Sequence, residues 1–281
     1  MTNFYSETEV KQIMQAVDKE RDTDPFDGLD TIKVFVATPS GGQVDVIAYD
    51  NHRDIIFELG NIQKHSKFRF FTGTTGRMMV TYARETIAEE AVKLGMDWIL
   101  FFDDDQILPR KLFLALARHM NKADIICPLV FQRVYPYKPV LYKLQYQEKE
   151  IEKDGIKHKV AYAQTDQITD YPVNEVFYPD ATGFGCVLVS TKLLKAMKQP
   201  WFFSNNNLGE DIWFCRRAQE HGFKVLCDTR IKVGHLSIPR SIGELDFIEH
   251  NKKDLAELHK DEIEKLKKNI EPPKVGVFGE D

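Results

Sequence analysis

From Trp98 to Phe102 the chain runs Trp-Ile-Leu-Phe-Phe with no polar residue, then turns abruptly to Asp103-Asp104-Asp105. An apolar run this short predicts a strand buried on both faces. Similar runs at residues 32–37 and 68–72 predict two more strands, the first broken by Thr38-Pro39-Ser40-Gly41-Gly42. Between the second and third, Met79, Tyr82, Ala83, Ile87, Ala91 and Leu94 recur at helical spacing before Gly95 and predict a helix over roughly 77–94. Pro109 marks the expected start of a further helix with Leu112, Phe113, Leu116 and Ala117 inward, and residues 123–127 form the next strand. Strand, helix, strand, helix, strand is the signature of a mostly parallel sheet covered on both faces, so the expected class is α/β.

Beyond residue 130 the pattern changes. Alternating residues and the turn pair Asp154-Gly155 predict an antiparallel hairpin over 139–163 that projects from the sheet. Extended segments follow at 173–178 and 187–189, a short helix at 191–197, and a helix entered through Gly209-Glu210-Asp211 and ending near His221-Gly222. Strand character returns at 224–227 and 231–234. Ser6-Glu7-Thr8-Glu9 is a capping-box pattern for an N-terminal helix, and 245–270 is helical with a thin apolar stripe stopped by Pro272-Pro273. The expected organisation is an N-terminal helix and connector (1–31), a main domain (32–240) with the hairpin inserted, and a C-terminal helix and tail (241–281). A stripe that narrow suits packing on the globule or against a second copy, a homo-oligomer.

Composition narrows the setting. With 281 residues and 43% hydrophobic content the chain can bury a large core, and a net charge of −5 gives no general attraction to nucleic acid or anionic membrane. Four cysteines show no Cys-x-x-Cys pairing and residues 1–9 lack the apolar core of a signal peptide, so a reduced, cytoplasmic location is expected. No apolar run reaches the roughly 18 to 20 residues of a transmembrane span.

The candidate chemistry starts at the acidic strand end. Ligands of open α/β sheets bind where strands end at their carboxyl side, and carboxylates there suit a divalent cation. The glycines after Thr38 and Pro39 suit either an ordinary turn or close approach of a ligand to the backbone. Arg84 serves either a structural salt bridge or an anionic ligand. Glu210 and Asp211 at a helix start favour the macrodipole or belong to a site.

In order, Asp103-Asp104-Asp105, Gly183-Phe184-Gly185, Gly209-Glu210-Asp211-Ile212-Trp213 and Gly234-His235 resemble the motifs of GT-A fold glycosyltransferases, especially family-2-like enzymes, over residues 32–237. The resemblance implies a Rossmann-like GT-A fold. It also implies a hexosyl transfer from a nucleoside-diphosphate sugar, UDP-linked by preference, with Mn2+ or Mg2+. By that likeness Asp105 is the direct metal ligand, with Asp103 in a water-mediated contact or at the donor ribose, and His235 a late ligand. Thr38, Pro39, Arg84, Asp103 and Asp104 are candidates for holding the donor. Asp211 is the implied base that takes the acceptor's proton, Glu210 orients the acceptor, and inversion follows from a single displacement. The acceptor class stays open among glycan, lipid, protein and modified base. The competing readings are a retaining enzyme of the same fold, a nucleotidyltransferase or phosphohydrolase using the same acidic site, and a noncatalytic binding module.

Overall fold

The computed structural model describes residues 31–153, 156–204, 208–237 and 240–251. In chain order they form β1 (Ile32–Thr38), α1 (Val46–Lys64), β2 (Phe68–Thr74), α2 (Val80–Lys93), β3 (Trp98–Phe102), β4 (Gln106–Ile107), α3 (Leu112–Ala117) and β5 (Ile125–Leu129). The hairpin strands β6 (Leu141–Lys153) and β7 (Ile156–Gln167) follow, then β8 (Val176–Phe177), β9 (Ala181–Thr182), β10 (Cys186–Ser190), α4 (Thr191–Ala196), α5 (Glu210–Glu220), β11 (Val225–Lys232), β12 (Gly234–Ser237), β13 (Arg240–Ile242) and α6 (Glu244–His250).

The main sheet has seven strands in the order β2-β1-β3-β10-β5-β11-β8. β1 pairs in parallel with β2 and β3, and β11 in parallel with β5, while β10 and β8 run antiparallel to their neighbours. This is the mixed α/β architecture expected from the sequence, largely parallel and consistent with a GT-A arrangement.

Period-two alternation divides the core between the two faces. On one side Ile99 and Phe101 of β3 pack with Ile87, Ala88 and Ala91 of α2 and with Phe214, Cys215 and Ala218 of α5. On the other, Trp98, Leu100 and Phe102 pack with Ile55 and Leu59 of α1 and with Leu112, Phe113 and Leu116 of α3. Both faces of β3 are therefore dry, which is why its sequence carries no polar residue. All four cysteines are buried and unpaired.

Several boundaries differ from the sequence expectation. The periodic stretch after Gly42 forms α1, whose N-cap Asp45 accepts a hydrogen bond from the Ile47 N–H at 2.8 Å. α2 starts at Val80, later than expected, because Arg77 adopts a left-handed φ of 38°. α3 starts at Leu112, after Lys111 in the left-handed region, and not at Pro109. β7 continues to Gln167, and beyond Tyr142 strand β6 pairs only with β7 among the described residues. The expected N-terminal helix and most of the C-terminal one lie outside the described residues. No described helix is long and apolar enough to cross a membrane.

A small sheet, β13-β12-β4, sits beside the carboxyl ends of the parallel strands. Its register places His235 opposite Gln106 and Gly234 opposite Ile107. The Leu236 N–H donates to the Asp105 carbonyl oxygen at 2.8 Å, so the late histidine is carried to the end of β3 by backbone pairing.

Candidate active site

The side chains after β3 go three ways. Asp105 meets His235 and Arg133: its Oδ2 lies 3.2 Å from His235 Nε2 and accepts from an Arg133 guanidinium nitrogen at 2.8 Å. Gln106 Nε2 donates to Asp105 Oδ1 at 3.2 Å. His235 Nδ1 lies 2.7 Å from the Phe131 carbonyl oxygen, which can only accept, so Nδ1 carries a proton. A neutral ring would then aim the Nε2 lone pair at a carboxylate. The contact is favourable only with a second proton or a shared cation. Burial opposes charge on His235, but the hydrogen bond and charge of Asp105, with the Phe131 carbonyl, outweigh it and raise its pKa above 6.5. Burial likewise opposes charge on Asp105, yet His235, Gln106 and Arg133 together hold its pKa below 3.8.

Asp103 turns the other way. Its two carboxylate oxygens accept from the same Arg84 nitrogen at 2.7 and 2.9 Å, and Arg84 also pairs with Glu210. Arg84 donates a longer bond, 3.3 Å, to the Phe184 carbonyl oxygen. The Arg84 side chain is 3% exposed, so desolvation opposes its charge, but Asp103, Glu210 and Asp211 more than compensate and raise its pKa. Arg84 thus lies beneath the site, engaged by protein carboxylates. The sequence candidate for holding a nucleotide becomes a residue that ties α2 to the ends of β3 and α5. Asp103 remains above its ordinary pKa because burial outweighs Arg84.

Asp211 occupies the first turn of α5 beside Glu210. Burial, then the Glu210 charge, push its pKa up to about 6 against the pull of Arg84 and the Ile212 N–H. Two glycines make room for it. A Cβ on Gly209 would lie 2.8 Å from Asp211 Oδ1, and one on Gly183 would lie 2.9 Å from Val140 Cβ and 3.5 Å from Asp211 Oδ2. Tyr142 lies within electrostatic reach, its hydroxyl pushed up to about 12 by burial and by Asp211. Arg216 pairs with Glu220 one turn on at 2.9 Å, a helix-surface bridge.

Asp104 faces the loop after β1: its Oδ2 accepts from Ser40 Oγ at 2.8 Å and from the Gly41 N–H at 3.2 Å. Three clefts meet at this carboxylate. One of about 670 Å³ is lined by Asp45, Asp105, Arg133 and Ser237, and one of about 270 Å³ by Pro39, Gly41, Met78 and Asp103. A third, about 630 Å³ and mostly apolar, is lined by Thr38, Tyr49, His52, Thr72, Thr74 and Phe102. In it His52 donates from Nε2 to the Gln106 carbonyl at 2.8 Å and meets Phe102 edge-on, centroids 4.7 Å apart.

Among the described residues, no group of three or more His, Cys, Asp or Glu side chains is arranged to hold a metal ion. The expected triplet Asp103, Asp105 and His235 is not gathered, because Arg84 holds Asp103 away. The pair Asp105 and His235 does fit a cation: a carboxylate oxygen and an imidazole nitrogen face each other, the imidazole oriented by a backbone carbonyl. A pair leaves the other positions to phosphate oxygens and water, the usual division for Mg2+.

Sequence reasoning missed Arg133, Gln106 and Ser40. Arg133 sits in a loop with no local pattern. Gln106 gave one usable signal: a polar side chain between the acids and an apolar pair, fully buried in the fold.

No family model and no curated protein matches the chain. Among solved structures it is similar to A197 from STIV, at 15% identity and TM-score 0.48 over 73% of this chain and 86% of that one. It is also similar to GalNAc-T7 solved with UDP, GalNAc and Mn2+, at 12% identity and TM-score 0.41 over 85% of this chain and 54% of that one. HddC from Yersinia pseudotuberculosis matches at 9% identity and TM-score 0.37 over 80% and 100%.

Proposed function

We propose that the chain is a divalent-cation-dependent glycosyltransferase that moves a sugar from a nucleoside-diphosphate sugar, UDP-linked by preference, to an acceptor hydroxyl with inversion. The observation that carries this is the pairing of two differently tuned centres through Asp103. That carboxylate is within electrostatic reach of Asp105 on one side and of Glu210 and Asp211 on the other. Asp105 is held ionised beside His235, as a cation site requires, whereas Asp211 is poised near neutrality, as a general base requires.

In this reading Asp105 and His235 hold Mn2+ or Mg2+, which supplies charge stabilisation to the departing diphosphate. Thr38, Tyr49, His52 and Phe102 line the cleft that takes the nucleoside, Asp104 borders both that cleft and the two at Asp105, and Pro39 lines the smallest of the three. Asp211 accepts the proton of the attacking hydroxyl, and Glu210, fixed by Arg84, keeps a second negative charge beside it that raises its basicity. Arg84 and Asp103 are positioning residues. The acceptor's class stays open among glycan, lipid, protein and modified base.

The test is incubation with a panel of nucleotide sugars and Mn2+. Release of nucleoside diphosphate with transfer of the sugar supports the proposal. Release of pyrophosphate or nucleoside monophosphate supports the nucleotidyltransferase or phosphohydrolase reading, and a product that keeps the donor's anomeric configuration supports a retaining mechanism.

A further inference from the structure

Asp105 Oδ2 is shared. It accepts from Arg133 at 2.8 Å and also faces His235 Nε2 at 3.2 Å. A cation held between that oxygen and that nitrogen needs the same lone pairs and repels the guanidinium. The three partners differ in freedom to move. Asp105 is tied by Gln106 and by the Leu236 N–H on its carbonyl, and His235 by the Phe131 carbonyl and the β12 register. Arg133 is 58% exposed on a loop, so it is the partner that can leave.

Where it would go follows from the cleft. The lining of the 670 Å³ space includes Asp45, Asp104 and Asp105, and Arg133 is its only cation among the described residues. A diphosphate entering there meets carboxylates on several sides. A planar guanidinium, which binds phosphate oxygens in pairs, is the group that offsets them.

We propose that Arg133 competes with a divalent cation for Asp105 and, once displaced, binds the phosphates of the nucleoside diphosphate. This rests on reading Asp105 and His235 as cation donors. Arg133 therefore acts in opposite directions on the two ligands: it weakens binding of the cation alone and strengthens binding of the diphosphate to the cation-loaded protein. Exposed ion pairs are weak enough for such an exchange, shifting equilibria by roughly two- to fivefold.

The test compares the 281-residue chain with its Arg133→Gln variant, after thermal unfolding has shown that the two are equally folded. Mn2+ alone is titrated with free Mn2+ followed by electron paramagnetic resonance, and UDP is titrated calorimetrically at saturating Mn2+. The expected result is Mn2+ affinity raised about two- to fivefold by the substitution and UDP affinity lowered about tenfold. Unchanged or lowered Mn2+ affinity in the variant would overturn the competition, and unchanged UDP affinity would overturn the phosphate contact. Wild-type protein that binds neither Mn2+ nor UDP would overturn the cation-site reading itself, and the exchange with it.

Discussion

Arg84 on α2 and Glu210 at the start of α5 are 126 residues apart in the chain and form an ion pair whose side chains are 3% and 12% exposed. The same guanidinium holds Asp103, so one buried cation joins α2 to the ends of β3 and the start of α5. Removing it leaves two partly buried carboxylates without their partner. Arg84→Met is expected to cost about 3 to 5 kcal/mol in urea unfolding. Arg84→Lys keeps the charge but not the planar fork, and should lose a substantial part of that. A loss under about 1 kcal/mol for Arg84→Met, the range of surface pairs, would remove the bridge from the account.

Asp211 links pH to both folding and rate. Its folded pKa of about 6 lies above the ordinary 3.8, so the folded state binds this proton more tightly than the unfolded chain. Its stabilising contribution is full below the unfolded value and is lost as pH rises through the folded one. Asp211→Asn removes that dependence. The variant should melt higher than wild type at pH 8, with the gap closing toward pH 4. Under the proposed function wild-type turnover falls as pH drops through about 6 and Asp211→Asn abolishes it. Unchanged turnover in the variant would remove Asp211 as the base.

Gly183 is a matter of space. A Cβ there would sit 2.9 Å from Val140 Cβ and 3.0 Å from Val140 Cγ2, closer than side chains tolerate. Gly183→Ala should destabilise by about 1 to 3 kcal/mol. Adding Val140→Ala, which removes the colliding Cγ2, should return part of that, giving a favourable coupling in a double-mutant cycle. Purely additive effects would place the cost on the 2.9 Å contact with Val140 Cβ, which alanine keeps.

The divided acids predict divided phenotypes. Asp105→Asn and His235→Ala should weaken Mn2+ binding at least about tenfold, since even outer-shell partners of a metal ligand are worth that much. Asp103→Asn should leave Mn2+ affinity nearly intact, because Asp103 is held by Arg84 and not by the cation pair. Under the proposed function, chelation with EDTA stops turnover and added Mn2+ or Mg2+ restores it. Equal loss of Mn2+ affinity in all three variants would mean that Asp103 rejoins the site when a cation is bound.

Much of the fold was legible because burial leaves a local imprint. β3 is buried on both faces, so its five residues had to be apolar, and the run is visible without a structure. α2 showed itself by Ala83, Ile87 and Ala91 at helical spacing. α1 was harder to read: it buries only Ala48, Ile55 and Leu59 while Val46, Ile47, Tyr49 and Phe57 stay exposed, so no single apolar stripe stands out. The helix starts at Val80 and Leu112 were displaced by left-handed residues at Arg77 and Lys111, types that carry no turn signal.

The site was legible as an inventory and not as a set of partners. Residue types alone placed acids at a strand end, a carboxylate pair at a helix start and a histidine after a glycine. Which of three consecutive aspartates faces what is set by elements distant in the chain. Ser40 takes Asp104, Arg84 takes Asp103, and Arg133 with His235 takes Asp105. Local sequence determines burial and spacing, because those act over a few neighbouring residues. Electrostatic partnership acts through space across folded elements: the family resemblance had already put Asp105 and His235 on one cation, but only the tertiary structure decided that Asp103 belongs with Arg84, Asp104 with Ser40, and that Arg133 joins Asp105.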